Sequence, residues 1–330
     1  MKMTKSISGR TWHFSHAIGR LALAGEGFYH PTSVIITDDD SLYVLNHRPT
    51  GSAPLAKWTV EQEYISEFGA GDFVWPEGLA IDDSQNVYCS DAYSNFVASY
   101  DSNGELIRKW GETGSSEGKL HGPSGLAFDK EGNLLVCDSL NNRIQKFSEY
   151  GEYISSFGTE GANEGQFNRP WGISVDDNND IYVADWGNNR VQKFSESGNF
   201  ILTFGSEIDD GGKLNHPSDV AIDADGDVYV ADWGNNRIQI YYSDGDIMTS
   251  LLGDAQEFSN AATEFLAVNP EHVKAFRRVD PVEYVELGRF QRPAGISINS
   301  SNRIVVSDGI RCRLQIYLKD DSYLEPQFNL

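Results

Sequence analysis

The sequence predicts an all-β protein, a six-bladed β-propeller of four-stranded antiparallel blades with a helical insertion between blades five and six. Two independent rulers and one internal pattern carry that reading. Proline followed by an apolar segment recurs at Pro31, Pro76, Pro123, Pro170, Pro217 and Pro293, at spacings of 45, 47, 47, 47 and 76 residues. The acidic or amide residue that ends the next apolar run recurs at Asn46, Asp91, Asp138, Asp185, Asp232 and Asp308, with the same five spacings. Within a unit, best seen in the fourth, four short runs rich in β-branched and aromatic residues cover Gly172–Val175, Ile181–Asp185, Arg190–Phe194 and Phe200–Phe204. Turn-rich breaks at Asp176–Asp180, Trp186–Asn189 and Ser195–Asn199 separate them. Such a meander has two apolar faces and cannot bury both alone. Stacking the units around one axis buries them all.

The elements follow in chain order. Ile18-Gly19 precedes Phe28 by the offset that separates Phe157-Gly158 from Phe167, so Trp12–Gly19 reads as an orphan fourth strand. Blade six supplies three strands of its own, around Ile296, Val305 and Leu314. The N-terminal stretch, about residues 12–19, is expected to complete that blade and remove an open sheet edge. Ser322–Leu324 is the competing fourth strand. The last spacing exceeds 47 by 29 residues, which places an insertion at about 254–289. Asn269-Pro270 opens a helix there that runs to Arg278, with a capping Asn and Pro at the first helical position, and a preceding helix covers Ala261–Ala267. Because it joins a fourth strand to a first strand, the insertion is expected on the rim where first strands begin, as a lid or as a brace between blades five and six. Residues 1–330 read as a single domain.

Composition narrows the function. The 49 Asp and Glu residues outnumber 26 Lys and Arg, for a net charge of −23. Phosphate neutralisation needs clustered cations, so nucleic acid and anionic membrane are excluded as partners. Mean hydropathy is −0.43, and no apolar run resembles a signal peptide or a membrane span. Cys89, Cys137 and Cys312 are an odd number, widely separated, so no disulfide framework is expected and a cytoplasmic location is the simplest reading. Cys89 and Cys137 lie in second strands and are expected to be inert core thiols. Oligomeric state is left open.

The wording Asp185-Trp-Gly-Asn-Asn-Arg190-Val-Gln-Lys-Phe194, matched by Asp138-Ser-Leu-Asn-Asn-Arg143-Ile-Gln-Lys-Phe147, closely resembles the NHL repeat from about Gly27 to Tyr317. That resemblance implies a six-bladed propeller. The family includes enzymes such as peptidyl-α-hydroxyglycine amidating lyase, as well as sensor domains and RNA- or protein-binding domains. The lyase has a His-Arg pair after the second strand of its first blade, where this chain has His47-Arg48, and its mechanism uses arginine and tyrosine near a metal-bound substrate. The resemblance therefore points to Arg48 and Tyr93. The lyase's zinc histidines follow the proline of three repeats. Here those positions hold Glu77, Ser124 and Trp171, so that triad is absent.

A residue repeated in most blades is explained by the blade, whereas a departure from the repeat needs a local reason. On this ground Asp138, Asp185 and Asp232 and the arginines Arg143, Arg190, Arg237 and Arg313 read as structural. Phe68, Trp110, Phe157, Phe204 and Leu252 read as one packing position between blades. The Asp176–Asp180 and Asp223–Asp227 turns lack the pattern of a twelve-residue calcium loop and read as solvated hairpin turns. The departures gather on the rim where first strands begin. Blade one has the long turn Asn46–Pro54, blade two gains Tyr93, and blade six carries Arg311-Cys312. The residues flanking each proline add His30, Trp75, Glu77, Arg169, Trp171, His216 and Arg292.

The expected catalytic set is Arg48, Tyr93, His47 and Glu77, with proton transfer by the last three. Trp75, Trp171 and Tyr93 are expected as walls, and Arg48, Arg169, Arg292 and Arg311 as carboxylate binders. His30, His121 and His216 are the candidate ligands for a divalent metal, zinc or calcium. The expected function is a metal-assisted lyase or hydrolase acting on a small carboxylate-bearing molecule. The alternative is a protein- or peptide-binding scaffold.

Overall fold

The computed structural model describes residues 4–7, 9–49, 51–205, 211–268, 271 and 287–320. Each blade starts at one of the recurrent prolines, which the first position of a strand tolerates because no ladder hydrogen bond is lost there. Blade one comprises Pro31–Ile36, Ser41–Asn46, Leu55–Thr59 and Tyr64–Phe68, and blade two Pro76–Ile81, Val87–Asp91, Phe96–Tyr100 and Leu106–Trp110. Blades three, four and five repeat this order from Pro123, Pro170 and Pro217. Successive strands pair antiparallel, and the first strands touch one another around a closed ring.

Closure uses the N-terminus. Blade six adds Arg10–Ile18 to Pro293–Ile298, Arg303–Asp308 and Arg313–Asp320, with Ile18 opposite Leu314 and Trp12 opposite Lys319. A fifth strand, Thr4–Ile7, then pairs outside it, which the repeat did not foretell. Ser322–Leu324 lies outside the described residues. The buried apolar side chains form six clusters, one at each boundary between neighbouring blades, so the hydrophobic core is divided among the boundaries. Phe68, Trp110, Phe157 and Phe204 each stack on an aromatic ring there. In blade five the equivalent is Leu251, 3% exposed, and not Leu252, at 44%.

At the lower rim, aspartates close the hairpin turns with their own carboxylates. Asp176 accepts the N–H groups of Asn178 and Asp180 at 2.8 and 3.0 Å. These turns are not solvated charge, however. Lys193 Nζ lies 2.8 Å from Asp180, and the buried Lys319 Nζ lies 2.7, 2.6 and 3.0 Å from Asp223, Asp225 and Asp227.

The insertion begins as expected, with a helix at Asn260–Ala267 capped by the Ser259 hydroxyl. In space it braces blades six and one. Ser259 Oγ donates to Gly19 O, and Asn260 N donates to Gln62 Oε1 at 2.9 Å. The second expected helix, Asn269–Arg278, lies outside the described residues. Among the described residues no helix is long and apolar enough to cross a membrane.

Candidate functional site at the upper channel mouth

The upper rim is built by one repeated device. In blade four the buried Asp185 accepts Asn168 N at 2.8 Å and Arg190 Nε at 2.9 Å, while Arg190 Nη2 donates to Asn163 O and Gln166 O at 2.8 Å each. The aspartate and arginine are therefore structural, as the repetition implied. The last residue of each such turn takes a left-handed conformation and clasps the next blade: Asn95, Asn142, Asn189 and Asn236 accept the backbone N–H of Gly122, Arg169, His216 and Arg292 at 2.7–2.8 Å. Those four recipients also have φ between 53° and 62°, which sets each on the rim before its proline. At the closing seam, Cys312 takes the asparagine's place, and its sulfur faces the His30 backbone N–H.

Among the described residues the boundary between blades one and two lacks this clasp. Trp75 N donates instead to Asp91 Oδ2 of its own blade at 2.9 Å, and the long turn of blade one brings in His47. His47 Nε2 lies 3.7 Å from Glu77 Oε1, the His47 and Trp75 rings meet at 4.6 Å, and Trp75 Nε1 donates to Glu77 Oε1. Glu77 is only 6% exposed, whereas Trp75 is 53% exposed. Burial pushes the Glu77 carboxyl up to about 8, opposed by the Trp75 indole and assisted by Asp91. Burial likewise holds the His47 imidazole below its ordinary value. The contact is thus a neutral acid facing a neutral base, since the same burial disfavours the charged form of each partner.

Below this lip, the first strands enclose a channel cavity of about 280 Å³ whose wall includes Thr32, Glu77, Trp171, Ser218, Asp219 and Ala294. Asp219 is a site residue that reading the proline flanks missed. It stands where the other blades have Ser33, Gly78, Gly125, Gly172 and Gly295, and that break in the repeat was the available signal. Its carboxylate accepts Val220 N at 2.9 Å and Ile296 N at 3.0 Å, yet burial raises it to about 7. Gly172 makes room for it, because a Cβ there would lie 2.6 Å from Asp219 Oδ1.

Across the mouth, rings run from blade four to blade six. Trp171 and Trp186 are 6.2 Å apart, Trp186 and His216 4.2 Å, and His216 and Trp233 6.5 Å, and the Arg292 guanidinium lies 4.4 Å from the Trp233 ring. Arg169 is exposed on the same rim, and Arg311 is half-buried in the turn of blade six.

Two expectations are corrected. Arg48 is buried, donating to Ala53 O at 3.1 Å, Gly27 O at 3.0 Å and Glu67 Oε2 at 2.5 Å. It binds the carbonyls ahead of Phe28 as Arg190 binds those ahead of Phe167, so it fills the structural arginine slot from a different sequence position and has no free guanidinium for an anion. Nor do His30, His121 and His216 converge. His121 is exposed, His30 packs on Tyr29, and His216 Nδ1 is bound to Asn215 Oδ1 at 2.6 Å. Among the described residues the one group of three potential metal ligands is Asp223, Asp225 and Asp227, and the ammonium of Lys319 lies among its oxygens. The residues present therefore do not fit a zinc or calcium ion. Tyr93 is 74% exposed on the turn of blade two, and Cys89, Cys137 and Cys312 are buried free thiols.

The NHL repeat family matches the chain at residues 120–147, 167–194, 214–241 and 290–317, which cover the first three strands of blades three to six with the few residues ahead of them. Four NHL repeats thus lie within this six-bladed β-propeller. No curated protein matches its sequence. Solved structures share the fold at low identity. A catalytically inactive virginiamycin B lyase from Staphylococcus aureus, solved with quinupristin, is 15% identical with a TM-score of 0.56, over 96% of this chain and 93% of that one. A gluconolactonase from Xanthomonas campestris is 11% identical with a TM-score of 0.62, over 94% and 90%. A protein of unknown function from Bacteroides thetaiotaomicron is 16% identical with a TM-score of 0.66, over 94% and 76%. At these identities the likeness is one of fold.

Proposed function

We propose that the upper channel mouth binds a small carboxylate-bearing molecule and cleaves it by acid–base chemistry of lyase or hydrolase type. The observation that carries this reading is the Glu77–His47 contact of 3.7 Å at the lip of the cavity, at the boundary that lacks the asparagine clasp. Glu77 keeps its proton at neutral pH and can give it to a leaving oxygen. His47, neutral in the same range, accepts a proton from the carbon beside the carboxylate in a lyase, or from water in a hydrolase. Trp75 orients the Glu77 carboxyl, Trp171 walls the cavity, and Arg169 and Arg292 supply the positive charge that a carboxylate needs on so acidic a protein. Two of the similar structures are named as a lyase and a gluconolactonase, so the architecture accommodates both reaction types.

The test is titration calorimetry with hydroxy acids and lactones, followed by turnover of whichever binds. Glu77→Gln is expected to lower turnover by about 100-fold while changing affinity by less than about threefold. A protein or peptide that seats on the exposed Trp75 and Tyr93, with no small acid or lactone bound, would overturn this reading in favour of a scaffold.

A further inference from the structure

Trp186 and Trp233 occupy the same position of successive turns, directly after Asp185 and Asp232. The blade does not require an indole there, because the equivalent residues of blades two, three and six are Ala92, Ser139 and Gly309. The two indoles are instead organised with their neighbours. His216 stands between them, its Nδ1 fixed by Asn215, and the Arg292 guanidinium carbon lies over the second indole, 4.4 Å from its centroid. All four side chains are at least partly open to solvent. Arg292 forms no ion pair among the described residues, in a chain of net charge −23 where Arg143, Arg190, Arg237 and Arg313 are each neutralised by an aspartate. A row of half-exposed aromatic rings in edge-to-face contact, ending in a guanidinium that pairs with no carboxylate among the described residues, is matched by a flat ring that carries an anion.

We infer that the arc Trp186–His216–Trp233–Arg292 is a subsite for a planar aromatic carboxylate, whose ring lies along the indoles and whose carboxylate pairs with Arg292. The inference rests on the reading of the mouth as a small-molecule site and names the class of molecule. It separates the anchoring side of the mouth, in blades four to six, from the reactive side at Glu77 and His47. The ring would supply most of the contact area, and the guanidinium would select acid over neutral analogue.

Calorimetry with indole-3-acetate, indole, acetate and glucuronate tests it on the whole chain. Indole-3-acetate is expected to bind at least tenfold tighter than the other three. Trp233→Ala and Arg292→Gln are each expected to weaken it about tenfold, and Lys130→Ala, exposed on the lower rim, to leave it within twofold. Circular dichroism and melting temperature establish that each variant is folded, and Trp186→Phe, which keeps a ring, should retain binding within threefold. Indole-3-acetate binding that survives both Trp233→Ala and Arg292→Gln overturns the subsite. Glucuronate binding more tightly than indole-3-acetate also overturns it and leaves the mouth reading intact, whereas no binding of any carboxylate overturns both.

Discussion

Replacing Glu77 by Gln isolates the cost of burying a carboxyl at the channel lip. The amide keeps an oxygen for the Trp75 indole, so the shape of the site and that hydrogen bond persist. In the folded protein the carboxyl titrates at about 8 against an ordinary value of 4.5. Below pH 4.5 both folded and unfolded chains hold the proton, and Glu77 adds no pH dependence. Between 4.5 and 8 the unfolded chain gives up the proton that the folded chain keeps, so stability falls as pH rises, at about 1.4 kcal/mol per pH unit. Above 8 the loss is complete, at roughly 4 to 5 kcal/mol. Glu77→Gln removes this loss and leaves the separate contribution of Asp219 unchanged. Urea unfolding at pH 5, 7 and 9 is therefore expected to show the variant gaining on the wild type by about 4 kcal/mol between the first and last pH. Parallel profiles would refute the reasoning, because they would mean that Glu77 is ionised in the fold and cannot serve as the acid.

Two further outcomes follow from buried cations. Lys319→Met leaves Asp223, Asp225 and Asp227 facing one another with only Arg10 nearby, and is expected to cost about 3 to 5 kcal/mol of unfolding free energy. Millimolar calcium should raise the melting temperature of this variant and not of the wild type, because only the variant has oxygens in need of a cation. Arg48→Ala should cost about 2 to 4 kcal/mol through the lost bonds to Glu67 and the Gly27 and Ala53 carbonyls, and should leave ligand affinity at the mouth within twofold. A large loss of affinity with little loss of stability would restore Arg48 to the site.

The fold was legible because every blade restates its own local instructions: proline at the strand start, β-branched runs, and an aspartate turn. Each unit could be compared with its neighbours without knowing any distance. What escaped was whatever depends on reach across space. Arg48 was matched by sequence position to a lyase residue, yet its long side chain fills the arginine slot that Phe96 leaves vacant in blade two and Arg190 fills in blade four. Lys319 is unremarkable in sequence, since the aspartates that surround it lie more than ninety residues earlier. The strand Thr4–Ile7 carries no copy of the repeat and follows only from the edge that Arg10–Ile18 presents.

The proposed site itself was legible by a different route, as a failure of symmetry. A ring of six equivalent boundaries offers six equivalent mouths, and a reaction needs an acid on one side of a bond and an anchor on the other. Five boundaries are tied by a turn residue that holds the next blade's backbone, four by asparagine and one by Cys312. Where the tie is missing, the long turn of blade one sets His47 against Glu77. Opposite lie Trp186 and Trp233, at a position where blades two, three and six have Ala92, Ser139 and Gly309. The repeat requires neither departure, and their placement on one rim makes the upper mouth the place to look for chemistry.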